Sequence, residues 1–182
     1  MSNPSSVILV LEDEHQQRLV YRCLINCGVQ RNVIRIQRSP SGRGSAENWV
    51  RKQFAKEVSE YRRRHAQTQL IVVIDADTHT VQERLGQFDQ ELKDGGKPSV
   101  DTKIEKIARL VPKRNIETWI LYLNGKNVDE TADHFKSKND WNVLIPKAAK
   151  ILSEGVASNA EPPKLCIDSL RHGVSELSRL RS

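Results

Sequence analysis

Asp75 and Asp77 stand one residue apart, directly after the apolar run Leu70-Ile71-Val72-Val73-Ile74. Five consecutive apolar residues, most of them β-branched, read as a strand buried on both faces, so this strand delivers carboxylates to a sheet edge. A second run, Val7 to Leu11, also ends in acid, at Glu12, Asp13 and Glu14. In open α/β sheets ligands collect beyond the carboxyl ends of strands. Were the two strands parallel neighbours, Glu12 would lie beside Asp75 and Asp77. Carboxylates held together repel one another unless a cation or proton neutralises them. Oxygen ligands without cysteine, and with no clear histidine partner, point to Mg²⁺ or Mn²⁺ rather than zinc, and such ions serve phosphodiester cleavage. The plain alternative is that Asp77 or Thr78 caps the helix that follows.

The elements that must position these acids alternate along the chain. Strands are expected at Val7–Leu11, Val33–Gln37, Leu70–Ile74 and Lys106–Val111. Leu19, Val20, Cys23, Leu24 and Cys27 recur at helical spacing up to Gly28, which makes the two cysteines buried packing residues rather than metal ligands. A long helix is expected over Ala46–His65 with Trp49, Val50, Phe54, Val58 and Tyr61 inward, and another over Val81–Lys93 closed by Gly95-Gly96. Ile116, Trp119, Ile120 and Leu123 space a helix with Glu117 in its first turn. Two further helices are expected at Pro146–Leu152 and Leu165–Leu180. Strand–helix alternation implies right-handed crossovers, and therefore an α/β fold with a mainly parallel four-stranded sheet flanked by helices. Residues 1–124 would form this domain and 125–182 a helical extension packed on it.

The chain has 182 residues and a net charge of +6, and its three cysteines show no framework spacing, which suits a reducing compartment. No apolar run approaches the roughly 20 residues needed to cross a bilayer, and Met1 to Ser6 lacks the regions of a signal peptide. A cytoplasmic protein with no membrane partner is expected. Between Arg38 and Arg64 eight Lys/Arg face three Glu. Arg38, Arg43, Arg62, Arg63, Arg64 and Arg114 are accordingly candidate nucleic-acid contacts, although cations also suit a helix C-terminus such as Arg62–Arg64. The loop Ser41-Gly42-Arg43-Gly44-Ser45 could approach a phosphate through backbone N–H groups, with Arg43 or Lys113 offsetting developing charge. His15 reads as an exposed residue at a helix start.

Glu12 after the first strand and Asp75-x-Asp77 after the third resemble the signature of Toprim domains, the catalytic fold of topoisomerases, bacterial primases and several nuclease families. Pro112-Lys113-Arg114-Asn115-Ile116-Glu117-Thr118-Trp119 is similar to the Ile-Glu-x-Trp segment of small Toprim-like proteins of bacterial genome defence, related to the overcoming-lysogenization-defect nucleases. The resemblance spans Val7 to Leu123. It implies a Rossmann-like Toprim fold and a Mg²⁺- or Mn²⁺-dependent nuclease acting on DNA or RNA, in anti-phage defence beside a separate ATPase. Glu12, Asp75 and Asp77 would be catalytic and metal-binding, and Glu117 would complete the metal site. Apart from the resemblance, the sequence leaves a homo-oligomer possible. Two positions depart from the pattern: Asp13 follows Glu12 where the family has glycine, and Gln16 stands where the nuclease branch carries a second acid. A Toprim-like binding or assembly subunit therefore stands beside the nuclease reading. So does a response-regulator receiver, for Val-Leu-Glu-Asp-Glu also resembles the start of one.

Overall fold

The computed structural model describes residues 4–40, 45–64, 67–134, 138–158 and 167–181. Its centre is a four-stranded, all-parallel sheet in the order β2-β1-β3-β4, flanked by helices. The strands are β1 (Ser6–Leu11), β2 (Ile34–Arg38), β3 (Thr68–Val73) and β4 (Ile107–Leu110). In register, Val10 of β1 faces Val72 of β3 on one side and Gln37 of β2 on the other. Val7–Leu11 and Leu70–Ile74 are buried throughout, as runs covered on both faces must be.

Helices α1 (Glu14–Asn26), α4 (Ile116–Leu123), α5 (Trp141–Ser158) and α6 (Asp168–Arg179) share one apolar core with Val7, Leu9, Leu11, Ile71 and Val73. Helices α2 (Ala46–Arg63) and α3 (Val81–Asp94) close the other face over Ile8, Val10, Leu70 and Val72. Cys23 is buried in the first core and Cys27 packs at its margin, both as free thiols. Among the described residues, no helix is long and apolar enough to cross a membrane.

The order of the strands creates a crevice. From β1 the chain passes through α1 to β2 on one side, and from β2 through α2 back across to β3 on the other. The turns leaving β1 and β3 thus depart toward opposite faces, opening the sheet's carboxyl edge between these two strands.

Helix α5 begins five residues before the expected start at Pro146. The Asp140 carboxylate accepts from the backbone N–H of Asn142, so the helix is initiated there and Pro146 falls in its second turn. Helix α6 rests on α4 through Trp119, which is fully buried and whose indole N–H donates to Ser169 Oγ at 2.7 Å. Gly173 lies against that ring. A Cβ there would overlap the ring, with Cζ3 2.9 Å away. Alanine is the better helix former by about 1 kcal/mol, but overpacking against a ring held by a hydrogen bond costs about 1–3 kcal/mol. Gly173→Ala is expected to lower stability by about 1 kcal/mol net, read as a shifted urea midpoint.

Candidate active site at the sheet's carboxyl edge

Glu12 is the first residue beyond β1, and Asp75 lies two beyond β3. Asp75 donates its backbone N–H to Glu12 Oε2 at 2.8 Å. Gln16, in the first turn of α1 and fully buried, ties the pair together. Its Nε2 donates to Glu12 Oε2 at 3.1 Å and to Asp75 Oδ1 at 2.9 Å, while its Oε1 accepts from the Glu12 backbone N–H at 2.9 Å. Two carboxylates from neighbouring strands therefore share one amide. Helix α1 is started by Asp13, which accepts from the Gln16 backbone N–H at 2.9 Å.

Their electrostatics follow from burial. Glu12 is pushed up to about 7, first by desolvation and then by the charges of Asp77 and Asp13, against the hydrogen bonds from Asp75 and Gln16. Asp75 is raised well above the ordinary carboxylate range by desolvation, with the charges of Glu12, Asp13 and Glu117 adding to it. Asp13 is raised by burial too. Burial and mutual repulsion hold protons at this edge that exposed acids would have released.

Asp77 and Glu117 frame the pair without joining it. Asp77 is about half exposed and faces Arg84 Nη2 at 3.3 Å, while its backbone N–H donates to the Arg114 carbonyl at 3.0 Å. Both Asp77 (φ 52°) and Arg114 (φ 66°) are left-handed, and they are the only non-glycine residues with positive φ among the described residues. Such backbone costs free energy and concentrates at functional sites. Neither Asp77 nor Thr78 caps α3, because Thr80 does so in a capping box with Glu83. Glu117, 1% exposed, meets His15 Nδ1 at 2.5 Å. That contact raises the His15 pKa, and the imidazole lies 5.2 Å from the Trp141 ring. His15 is thus half-buried in the site, in contrast to the exposed position expected from sequence.

The candidate cations are dispersed. Arg38 is exposed at the carboxyl end of β2, beside Leu11 in register. Lys113 Nζ donates to the His79 carbonyl at 2.7 Å, which ties the turns after β3 and β4 together. Arg114 lies 3.9 Å from Asp133. Arg43 and its glycines lie outside the described residues. Arg62, Arg63 and Arg64 end α2, which runs antiparallel to the strands, so they stand at the amino edge, opposite the acids. Arg62 there clamps Glu105 at 2.6 Å and the carbonyls of Pro98 and Ser99, Arg63 pairs with Glu60, and Arg64 with Glu57.

Arg84 is the site residue that sequence reasoning missed. It is 1% exposed and reaches Glu47, Gln87, the Ala76 carbonyl and Asp77 from α3. The available signal was its place beside Leu85 on the inward face of that helix, where an unpaired charge would be costly.

Hard carboxylate oxygens have the donor chemistry of Mg²⁺ or Mn²⁺. Glu12 and Asp75 converge, while Gln16 stands between them, Asp77 leans to Arg84 and Glu117 to His15. Among the described residues no three His, Cys, Asp or Glu side chains form a metal-holding group. The pair fits a divalent ion by chemistry; a third carboxylate does not converge with it.

Comparison with protein-family models, curated proteins and solved structures found no match for this chain.

Proposed function

We propose that the chain is a metal-dependent nuclease of the Toprim kind, working in the cytoplasm, and that the edge between β1 and β3 is where a phosphodiester is cut. The observation that carries this reading is the buried pair Glu12 and Asp75 at the sheet's switch point, each held above its ordinary pKa by burial and by nearby acid. Glu12 and Asp75 would hold Mg²⁺ or Mn²⁺, which when bound supplies charge neutralisation and an activated water. The chain's own groups do the rest. Asp77 and Arg114, fixed in left-handed backbone, set the rim of the crevice. His15, held by Glu117, places an imidazole beside the acids. Arg38 presents an uncommitted charge to a phosphate on the exposed side. The family resemblance adds a separate ATPase as partner.

The test is cleavage of supercoiled plasmid and bulk tRNA with Mg²⁺ or Mn²⁺ by the chain and by Asp75→Asn. The amide preserves shape and still accepts from Gln16, so the variant should fold while losing at least about 10³-fold in cleavage rate, the scale of a lost preorganised electrostatic group. Equal cleavage by both proteins would remove the edge from the chemistry.

Gln16 favours a second reading. Its amide satisfies both carboxylates at once, as in a site retained for binding or assembly. No cleavage by the folded chain under any of these conditions would select that reading.

A further inference from the structure

We propose that the groove between α1, β2 and α5 seats the sugar–phosphate backbone of a nucleic acid and leads it to the acid edge; the ligand class rests on the nuclease reading above. The groove encloses about 1020 Å³, above the 300–1,000 Å³ common for small-molecule sites. Its walls carry Arg18 and Arg22 from α1, Arg31 from the turn before β2, and Lys150 from α5, with Glu154 as the acid among its lining residues. Tyr21 and Ile36 add apolar surface on which a sugar or base can rest.

The state of these cations distinguishes them from the basic run at the end of α2. Arg62, Arg63 and Arg64 are each neutralised by a glutamate. Arg22, Arg31 and Lys150 are exposed and make no ion pair with a described carboxylate. Arg18 donates to Asn142 Oδ1 at 2.8 Å, which leaves its charge uncompensated. Four like charges lining one concavity over low-dielectric walls focus a positive potential along it.

The direction of α1 makes the groove a path to the site. The helix starts at Glu14, two residues beyond Glu12, and runs away from the acid edge. Arg18 sits one turn along it and Arg22 a further turn, about 6 Å on at 1.5 Å per residue. A chain of phosphates on these cations would have one end at the crevice between β1 and β3. A regular row of anions matches a row of uncompensated cations.

The experiment measures binding of fluorescein-labelled 30-nucleotide single- and double-stranded DNA and RNA to the full chain by anisotropy, in EDTA, across a salt series. The triple variant Arg22→Glu/Arg31→Glu/Lys150→Glu is compared with Lys52→Glu/Lys56→Glu/Arg63→Glu on the α2 face, which makes the same change in net charge. The groove variant should lose about 100-fold in affinity, and its salt slope should flatten by about 2–3 in log–log units, as expected for three lost phosphate contacts. The control should lose less than about threefold. Equal losses in both variants, an unaffected groove variant, no nucleic-acid binding by the wild type, or equal displacement by polyglutamate would each overturn the proposal. Groove-dependent binding without metal-dependent cleavage would leave the groove standing and sink the nuclease reading. Cleavage that the groove variant retains in full would do the reverse.

Discussion

Raising the pH from 5 to 8 without divalent ions lowers the stability of the fold by about 2.5 kcal/mol through Glu12 alone. Its pKa rises from 4.5 to about 7 on folding, and one pKa unit is about 1.4 kcal/mol. Between those two values the folded chain binds more protons than the unfolded chain, so stability falls as pH climbs. The contribution is fully present below about 4.5 and is lost once the pH passes about 7. Asp75 and Asp13 are raised as well and act with the same sign. So does His15, whose pKa is raised by Glu117: its contribution is present below the ordinary histidine value and disappears above the folded one. Acids lowered by partners, such as Glu105 beside Arg62, act in the opposite sense only toward the acid end of the range. Urea unfolding at pH 5 and 8 measures the difference. Glu12→Gln keeps an oxygen to accept from Asp75 and Gln16, so it should flatten the profile and be the more stable protein at pH 8. Millimolar Mg²⁺ should restore the wild type at pH 8, by about 2.7 kcal/mol at 100 times its Kd, with a smaller effect on Glu12→Gln. A flat wild-type profile would show that the edge carries ordinary surface carboxylates.

The sheet was legible because its inner strands are runs that only burial on both faces explains. Two such runs ending in acid were enough to place Glu12 beside Asp75, a contact confirmed at 2.8 Å. The surroundings of that pair were not legible, because they depend on partners far away in the chain. His15 finds Glu117 across 102 positions, and no local pattern around His15 announces it. Arg84 looks like a surface residue of a polar helix until β3, α2 and α3 close around it. The run Arg62-Arg63-Arg64 lies away from the acids for a different reason. Charge was read along the sequence, whereas helix direction decides which sheet edge a residue occupies, and the end of a crossover helix lies at the amino edge. The unpaired cations of the groove come from α1, the turn before β2 and α5, so they form no run at all.

Gln16→Glu tests whether the edge is an impaired metal site or one adapted to do without metal. In the native chain the amide donates to Glu12 and Asp75 and accepts from the Glu12 backbone, all in complete burial. The substitution keeps the acceptor and turns two attractive contacts into a cluster of three carboxylates. At pH 8 without metal the cost should be about 3–5 kcal/mol, the scale of leaving a buried charge uncompensated, and it should shrink at pH 5.5, where protonation restores a donor. Mg²⁺ or Mn²⁺ should then recover most of the loss, because three carboxylates give a hard divalent ion more anionic oxygens than Glu12 and Asp75 alone. Gln16→Met is the control. It removes the hydrogen bonds without adding charge; because Gln16 holds the Glu12 and Asp75 pKa values down, its cost should be somewhat larger at pH 8 than at pH 5.5, and both its pH dependence and its recovery by metal should be smaller than those of Gln16→Glu. Thermal melting of the three proteins with EDTA and with each ion reads the stability, and plasmid nicking reads the chemistry. Recovery by metal together with increased nicking would mean that position 16 limits a nuclease site. Loss that no divalent ion repairs would mean that this edge has its polar groups satisfied from within, with Gln16 serving where a cation would otherwise be needed.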